Sequence, residues 1–397
     1  MRIPFSPPDI TEAEISEVAD TLRSGWITTG PKTKCFENML KNYCSCAGAA
    51  CFSSATAALE MILRLLGIGH GDEVIVPAYT YTASASVVCH VGAKLVLCDS
   101  SKDSFEMDYD SLPELITERT KAIIAVDIGG VPCNYSRLFE AADNKRKLFS
   151  PNNAMQVAMG RIAVLADAAH ALGSERDGIK CGNMADFSSF SFHAVKNLTT
   201  GEGGAALWKY NSKIDSEEIY RQFMLLSLHG QTKDALEKNR AGGWEYDIAE
   251  PYFKCNMTDI AASIGIAQLR RYDEILSKRQ KLVCLYNAGL ESLPVEILHH
   301  QRENYRSNGH LYMVRLRGKD SDFRNEVIKR LADNGVSSNV HYKPLPMLSA
   351  YKKLGFSIDD FPNAYEMYEN EITLPLYSKL TDEEAKYVIE CFIKCVK

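Results

Sequence analysis

The chain has 397 residues, of which 46% are hydrophobic and 24% charged, and its net charge is −6. That length supports a large core and two domains, and the composition is that of a globular protein, neither disordered nor fibrous. The acidic balance argues against a general nucleic-acid binder, because a phosphate-reading surface draws on an excess of Lys and Arg to release counterions.

The opening MRIPFSPPDITEAEI lacks a basic stretch followed by an apolar one, and no apolar run reaches the length that spans a bilayer. The expectation is a cytoplasmic protein with no membrane contact. Twelve cysteines are spread through apolar stretches (Cys89, Cys98, Cys391, Cys395) and read as reduced core thiols. Cys44, Cys46 and Cys51 have no matching Cys or His pair at finger-like spacing, so no metal site is expected.

In CFSSATAALEMIL (51–63), hydroxyls and small residues stand at the head of a helix. Its apolar positions Leu59, Ile62, Leu63 and Leu66 fall at i, i+3, i+4 and i+7, with Gly67 placed to stop it. The backbone N–H groups of Thr56 and Ala57 would face an anion at that N-terminus, although the same pattern also serves as a plain N-cap. Short apolar runs follow: EVIVPAY (73–79), AKLVLCD (93–99), KAIIAVDIGG (121–130) and RIAVLADAAH (161–170). Helical periodicity between them predicts a mostly parallel sheet covered on both faces, with ligands beyond the carboxyl ends of its strands. The segment at 145–161 reads as an insertion ahead of a strand.

Asp167 ends the run IAVLA, and His170 follows three residues later. A carboxylate buried there needs a cationic partner, which a protonated pyridine nitrogen would supply; singly, Asp167 also reads as a salt-bridged strand end and His170 as a core histidine. In DFSSFSFH (186–193), Phe190 and Phe192 point to one side of a strand, and Ser189, Ser191 and His193 to the other. Lys196 follows in a turn that ends at Gly201–Gly204, before a return strand AALW (205–208). A lysine held there loses water and becomes an amine nucleophile for a carbonyl. Amine, carboxylate and anion cradle together match the aldehyde, ring nitrogen and phosphate of pyridoxal phosphate.

The last third reads as a smaller α+β unit. A long amphipathic segment from about Asp259 to Leu290 leads to LYMVRLR (311–317), SDFRNEVIKRLADNG (321–335), VSSNVHY (336–342) and a final helix. Gly335 closes one helix, and Thr381 with Glu384 forms a capping box for the last. The expected domains are 1–275, binding the cofactor, and 276–397.

SSATAAL (53–59), GDEVIVPAYTYTASA (71–85), ADAAHALGSERDGIKCG (166–182), FSFHAVKNLTTGEGG (190–204) and CNMTDIAASIGIAQL (255–269) together resemble the DegT/DnrJ/EryC1/StrS group of sugar aminotransferases. The resemblance runs from GWITTGPKTKCFE (25–37) to NVHYKPLPMLSAYKKLGF (339–356). It implies the aspartate-aminotransferase fold, type I, in an α/β chain with a large mainly parallel-sheet domain and a small C-terminal α+β domain. It also implies a homodimer with shared active sites, and pyridoxal phosphate alternating with pyridoxamine phosphate. The reaction it implies moves an amino group from an amino acid, glutamate, to a nucleotide-linked ketosugar for glycan, polysaccharide or lipopolysaccharide synthesis. Lys196 matches the anchoring lysine, Asp167 the ring-nitrogen partner, and Ser191 with Thr56 and Ala57 the phosphate contacts. Asn256 matches a residue that reaches the neighbouring subunit's cofactor, Tyr81 an aromatic on one ring face, and His170 a residue on the other. Trp26, His229, His341 and Tyr342 are expected around the sugar nucleotide. His170 is more similar to members that act at C4 of UDP-linked sugars. Two departures stand out: the 145–161 insertion, and Asp127 where a His is commoner. Two alternatives remain: a related sugar dehydratase, in which the lysine is typically replaced by histidine, and a non-catalytic cofactor-binding regulatory paralogue.

Overall fold

The computed structural model describes residues 1–211, 213–233 and 244–397. In chain order its first strands are β1 (Gly48–Phe52), β2 (Glu73–Pro77), β3 (Lys94–Cys98), β4 (Thr120–Val126) and β5 (Ala163–Asp167). The short β6 (Glu175–Arg176) and β7 (Ile179–Lys180) precede β8 (Phe187–Ser191) and β9 (Gly204–Trp208). The main sheet has the order β1-β9-β8-β5-β4-β2-β3; β9 alone is antiparallel to its neighbours, and the other pairings are parallel. Every residue of β2 and β5 is buried, as strands covered on both faces require.

The helix Ala55–Leu65 buries Leu59, Ile62 and Leu63 and stops where Gly67 turns left-handed at φ +64°. It packs over β8 and β9 and points its N-terminus at their upper end. The sequence reading did not identify β1: its Gly-Ala-Ala-Cys composition has low strand propensity, and pairing with β9 supplies what local preference does not. Gly48 is needed there because an added Cβ would lie 2.1 Å from the Trp208 ring.

The second unit is an antiparallel sheet of β10 (Glu296–Ile297), β13 (Tyr312–Arg315) and β14 (Glu371–Leu374). The helices Tyr272–Leu290, Ser321–Asp333 and Asp382–Val396 cover it, with Leu282, Tyr286, Val314, Leu331, Val388 and Phe392 at its core. Gly335 is left-handed at φ +77°, and Thr381 and Glu384 make the reciprocal cap. Helix Tyr272–Leu290 runs unbroken through residue 275, where the sequence leads us to expect a boundary. The N-terminus crosses between the units, since Ile3 N–H donates to Gly335 C=O at 2.8 Å. A hairpin of β11 (Gln301–Arg302) and β12 (Tyr305–Arg306) pairs with β6, which pairs with β7, forming a four-stranded sheet that joins the units.

The 145–161 insertion docks at the amino ends of the strands, away from Asp167. Asn153 and Gln156 side chains donate to Leu66 C=O at 3.0 and 2.9 Å, and Lys121, at the start of β4, donates to Ser150 C=O. All twelve cysteines are free. Among the described residues no helix is long and apolar enough to cross a membrane.

Candidate active site

A cavity of about 430 Å³ opens at the carboxyl ends of β4, β5 and β8. Thr56, Tyr81, Asp167, His170, Ser191, Lys196 and Tyr342 line it, so chain segments far apart in sequence converge there. Alternation along β8 sends Phe190 and Phe192 into the core, both almost fully buried, and leaves Ser191 and His193 on the cavity wall. Ser189 faces the same way and donates to Ala55 C=O at 2.8 Å, tying the strand to the helix start.

Lys196 is held by a knitted loop. Its N–H donates to His193 C=O at 2.9 Å, while Phe192 exchanges bonds with Gly203 and Thr200 at 2.9 Å. Burial pushes its amine down from 10.5 to about 8, against the Asp167 charge, which pulls it up. Asp167 is buried at the end of β5, accepting from Ser84 Oγ at 2.6 Å and Ala169 N–H at 3.2 Å. Burial raises its carboxyl pKa against the pull of these donors and of Lys196. No cation hydrogen-bonds to it among the described residues.

His170 accepts from Gly129 N–H at Nδ1 (3.2 Å), so a neutral ring carries its proton on Nε2, 3.1 Å from Tyr342 Oη. Burial first, then the charges of Lys196 and His341, hold His170 well below its ordinary value. Tyr81 is exposed at the rim, its ring 5.7 Å from that of Tyr342.

The first-turn N–H groups of Ala55 and Thr56 precede the first intrahelical bond, Ala58 N–H to Ser54 C=O, and that end of the helix faces the cavity. The Ala57 N–H is taken by the Ser54 Oγ cap at 3.0 Å, and Ala57 is not part of the wall. Asn256, half-buried, bridges to Phe52 and bonds Thr29 and Lys254 outside this cavity. Trp26 donates to Thr29 C=O at 3.2 Å, and His229 is exposed with left-handed backbone at φ 60°; neither lines the cavity. His341 stands just behind Tyr342, and Tyr79 Oη pins both, donating to His341 C=O (2.5 Å) and accepting from Tyr342 N–H (2.8 Å).

Asp127 faces the other side of the sheet. It accepts from Cys133 N–H at 2.8 Å and Tyr135 Oη at 2.9 Å, and burial raises it to about 7. Its neighbour Val126 is the residue on the cavity wall. Sequence reasoning missed Ser84, Asn197 and His310. The His310 ring lies 4.4 Å from that of His170, and its Nδ1 bonds Asn197 Oδ1 at 2.9 Å. The only local signal is a polar residue after Gly309 at the mouth of an apolar strand.

The residues fit pyridoxal phosphate. Asp167 is a buried carboxylate to which no cation hydrogen-bonds among the described residues, and a protonated ring nitrogen suits it; Thr56, Ser191 and the helix N-terminus suit a phosphate; Lys196 suits an aldehyde.

Residues 8–393 match the DegT/DnrJ/EryC1/StrS aminotransferase family. The chain is 56% identical to the putative sugar aminotransferase Spr1654 from Streptococcus pneumoniae in its PMP form, covering 100% of this chain and 99% of that one with a TM-score of 0.97. The same protein has also been solved in a PLP form. The spore coat polysaccharide biosynthesis protein SpsC of Bacillus subtilis is 34% identical, over 100% of this chain and 97% of its own. Helicobacter pylori PseC, an aminotransferase involved in the biosynthesis of pseudoaminic acid, is 26% identical over 100% and 99%, with a TM-score of 0.88.

Proposed function

The chain belongs to the DegT/DnrJ/EryC1/StrS aminotransferase family, and from that premise we propose that it moves an amino group from glutamate to a UDP-linked 4-keto hexose or pentose. It is a pyridoxal-phosphate-dependent sugar aminotransferase. When bound, the cofactor supplies an aldehyde for the amine and a ring that draws electrons from the donor's α-carbon. Lys196 Nζ would hold the aldehyde and, when displaced by the donor's amine, would carry a proton from the donor's α-carbon to the former aldehyde carbon and, in the second half-reaction, from that carbon to the sugar carbon being aminated. Asp167 would hold the positive charge on the ring nitrogen, and the Ser84 and Ala169 donors favour its ionised form against burial. Thr56, Ser191 and the helix N-terminus would hold the phosphate, and Tyr81 and His170, on the wall of the same cavity, would contact the ring.

The observation that carries this reading is that Lys196 faces the same cavity as Asp167, a buried carboxylate to which no cation hydrogen-bonds among the described residues. Lysine at this position counters the dehydratase reading. His170 supports C4 chemistry, and the roles named for SpsC and PseC support a product used in surface glycans.

Asn256 lies outside the cavity of its own chain, and Trp244, Tyr246, Ile248 and Phe253 are exposed nearby in sequence. Both favour a homodimer in which Asn256 serves the partner's cofactor. Mixed dimers of Asn256→Ala and Lys196→Ala chains should then recover part of the activity that each homodimer lacks.

The test is to mix holoenzyme with glutamate and follow bleaching of the visible cofactor band, then to screen nucleotide-linked 4-keto and 3-keto sugars, identifying products by mass and NMR. Bleaching followed by a 4-amino sugar supports the proposal. A band that no amino donor bleaches would leave the regulatory paralogue standing.

A further inference from the structure

His341 is joined to two residues of the second unit that the sequence did not mark. Its Nδ1 lies 2.9 Å from Thr373 Oγ1, and that hydroxyl lies 2.5 Å from Glu371 Oε1. The other carboxyl oxygen accepts the His341 backbone N–H at 2.8 Å. Thr373 and Asn339 exchange backbone bonds at 2.8 and 3.1 Å, which fixes the segment carrying His341 beside β14. Glu371 and Thr373 are fully buried, while His341 is half-buried, and its Nε2 has no protein partner among the described residues.

We propose that Glu371 and Thr373 are positioning residues that decide which nitrogen of His341 carries the proton, and hence whether Nε2 accepts or donates a hydrogen bond. This rests on the sugar-aminotransferase reading, in which His341 meets the sugar substrate. The Thr373 hydroxyl has one proton. When Glu371 is a carboxylate, that proton points to Oε1, Thr373 Oγ1 accepts from Nδ1–H, and Nε2 is a bare acceptor for a sugar hydroxyl. When Glu371 carries a proton on Oε1 it donates to Thr373, the hydroxyl donates to Nδ1, and the imidazole proton moves to Nε2.

The ring itself stays neutral. Burial and the Lys196 charge push His341 down to about 3. Glu371 is pushed up to about 8 by burial, against Thr373, the His341 N–H and the Arg324 charge. Tyr79 and Tyr342 lie near enough to interact with its charge, and Arg315 is its partner in β13.

The experiment is long-range ¹H–¹⁵N correlation on holoenzyme labelled with ¹⁵N-histidine at pH 9.5, with His341 assigned by its loss in His341→Gln. Wild-type protein and Thr373→Ser should show Nδ1–H. In Glu371→Gln the amide oxygen accepts from the His341 N–H and the NH₂ group donates to Thr373, so the tautomer should invert to Nε2–H. Thr373→Val should show a mixture of the two. The same tautomer in wild type, Glu371→Gln and Thr373→Val would overturn the proposal. The far-UV circular dichroism spectrum of Glu371→Gln should match that of wild type, which checks that the variant is folded. Absence of glutamate bleaching of the cofactor band in wild type would instead count against the aminotransferase reading and leave the tautomer result intact.

Discussion

The depressed basicity of Lys196 is measurable without any sugar. An ε-amine at its ordinary value near 10.5 is unprotonated in about one molecule in a thousand at pH 7.5, whereas one held at about 8 is unprotonated in about one in four, a gain of roughly 240-fold. In cofactor-free protein, the rate of Lys196 labelling by an aryl fluoride, followed by peptide mass spectrometry, should titrate with a midpoint near 8. Asp167 opposes the depression, so Asp167→Asn should move the midpoint lower still. Between about 8 and 10.5 the unfolded chain keeps a proton that the folded chain has released, so this lysine makes stability rise with pH across that window. A midpoint near 10.5, or an upward move in Asp167→Asn, would refute the account of a desolvated amine held beside a carboxylate.

Ser84→Ala removes the 2.6 Å donor to a buried carboxylate, which should cost about 1.5–3 kcal/mol in urea unfolding and move the acidic limb of the pH–rate profile upward. Gly204→Ala places a Cβ 2.3 Å from Ala55 N, so the helix N-terminus must shift; the variant should bind pyridoxal phosphate weakly by spectroscopic titration. Gln156→Ala should lower stability by about 1–3 kcal/mol in thermal unfolding while cofactor affinity stays unchanged, because the insertion sits at the far ends of the strands.

Features held by short-range chemistry were legible in the sequence. The buried runs ending at Asp167, the alternation through Phe190 and Ser191, and the loop around Lys196 each declare themselves within ten residues. What depended on distant pairing was not. β1 is strand because β9 lies beside it, and Ser84 matters only because its helix start faces the end of β5. Thr373 and Glu371 look like ordinary strand residues until the 339–342 segment is laid against them. The insertion at 145–161 was visible as extra chain, but its docking on Leu66 follows from two amides that find one carbonyl across some ninety residues.

The ladder from β11 to β7 ties the two units by backbone pairing, and rotating one against the other would break those bonds. Tyr79 adds a second rivet between the units at His341. Both ties resist rotation of one unit against the other, so the walls around the cleft are held in register before any ligand enters. Calorimetry should accordingly find modest ordering entropy on ligand entry, since the walls are already in place.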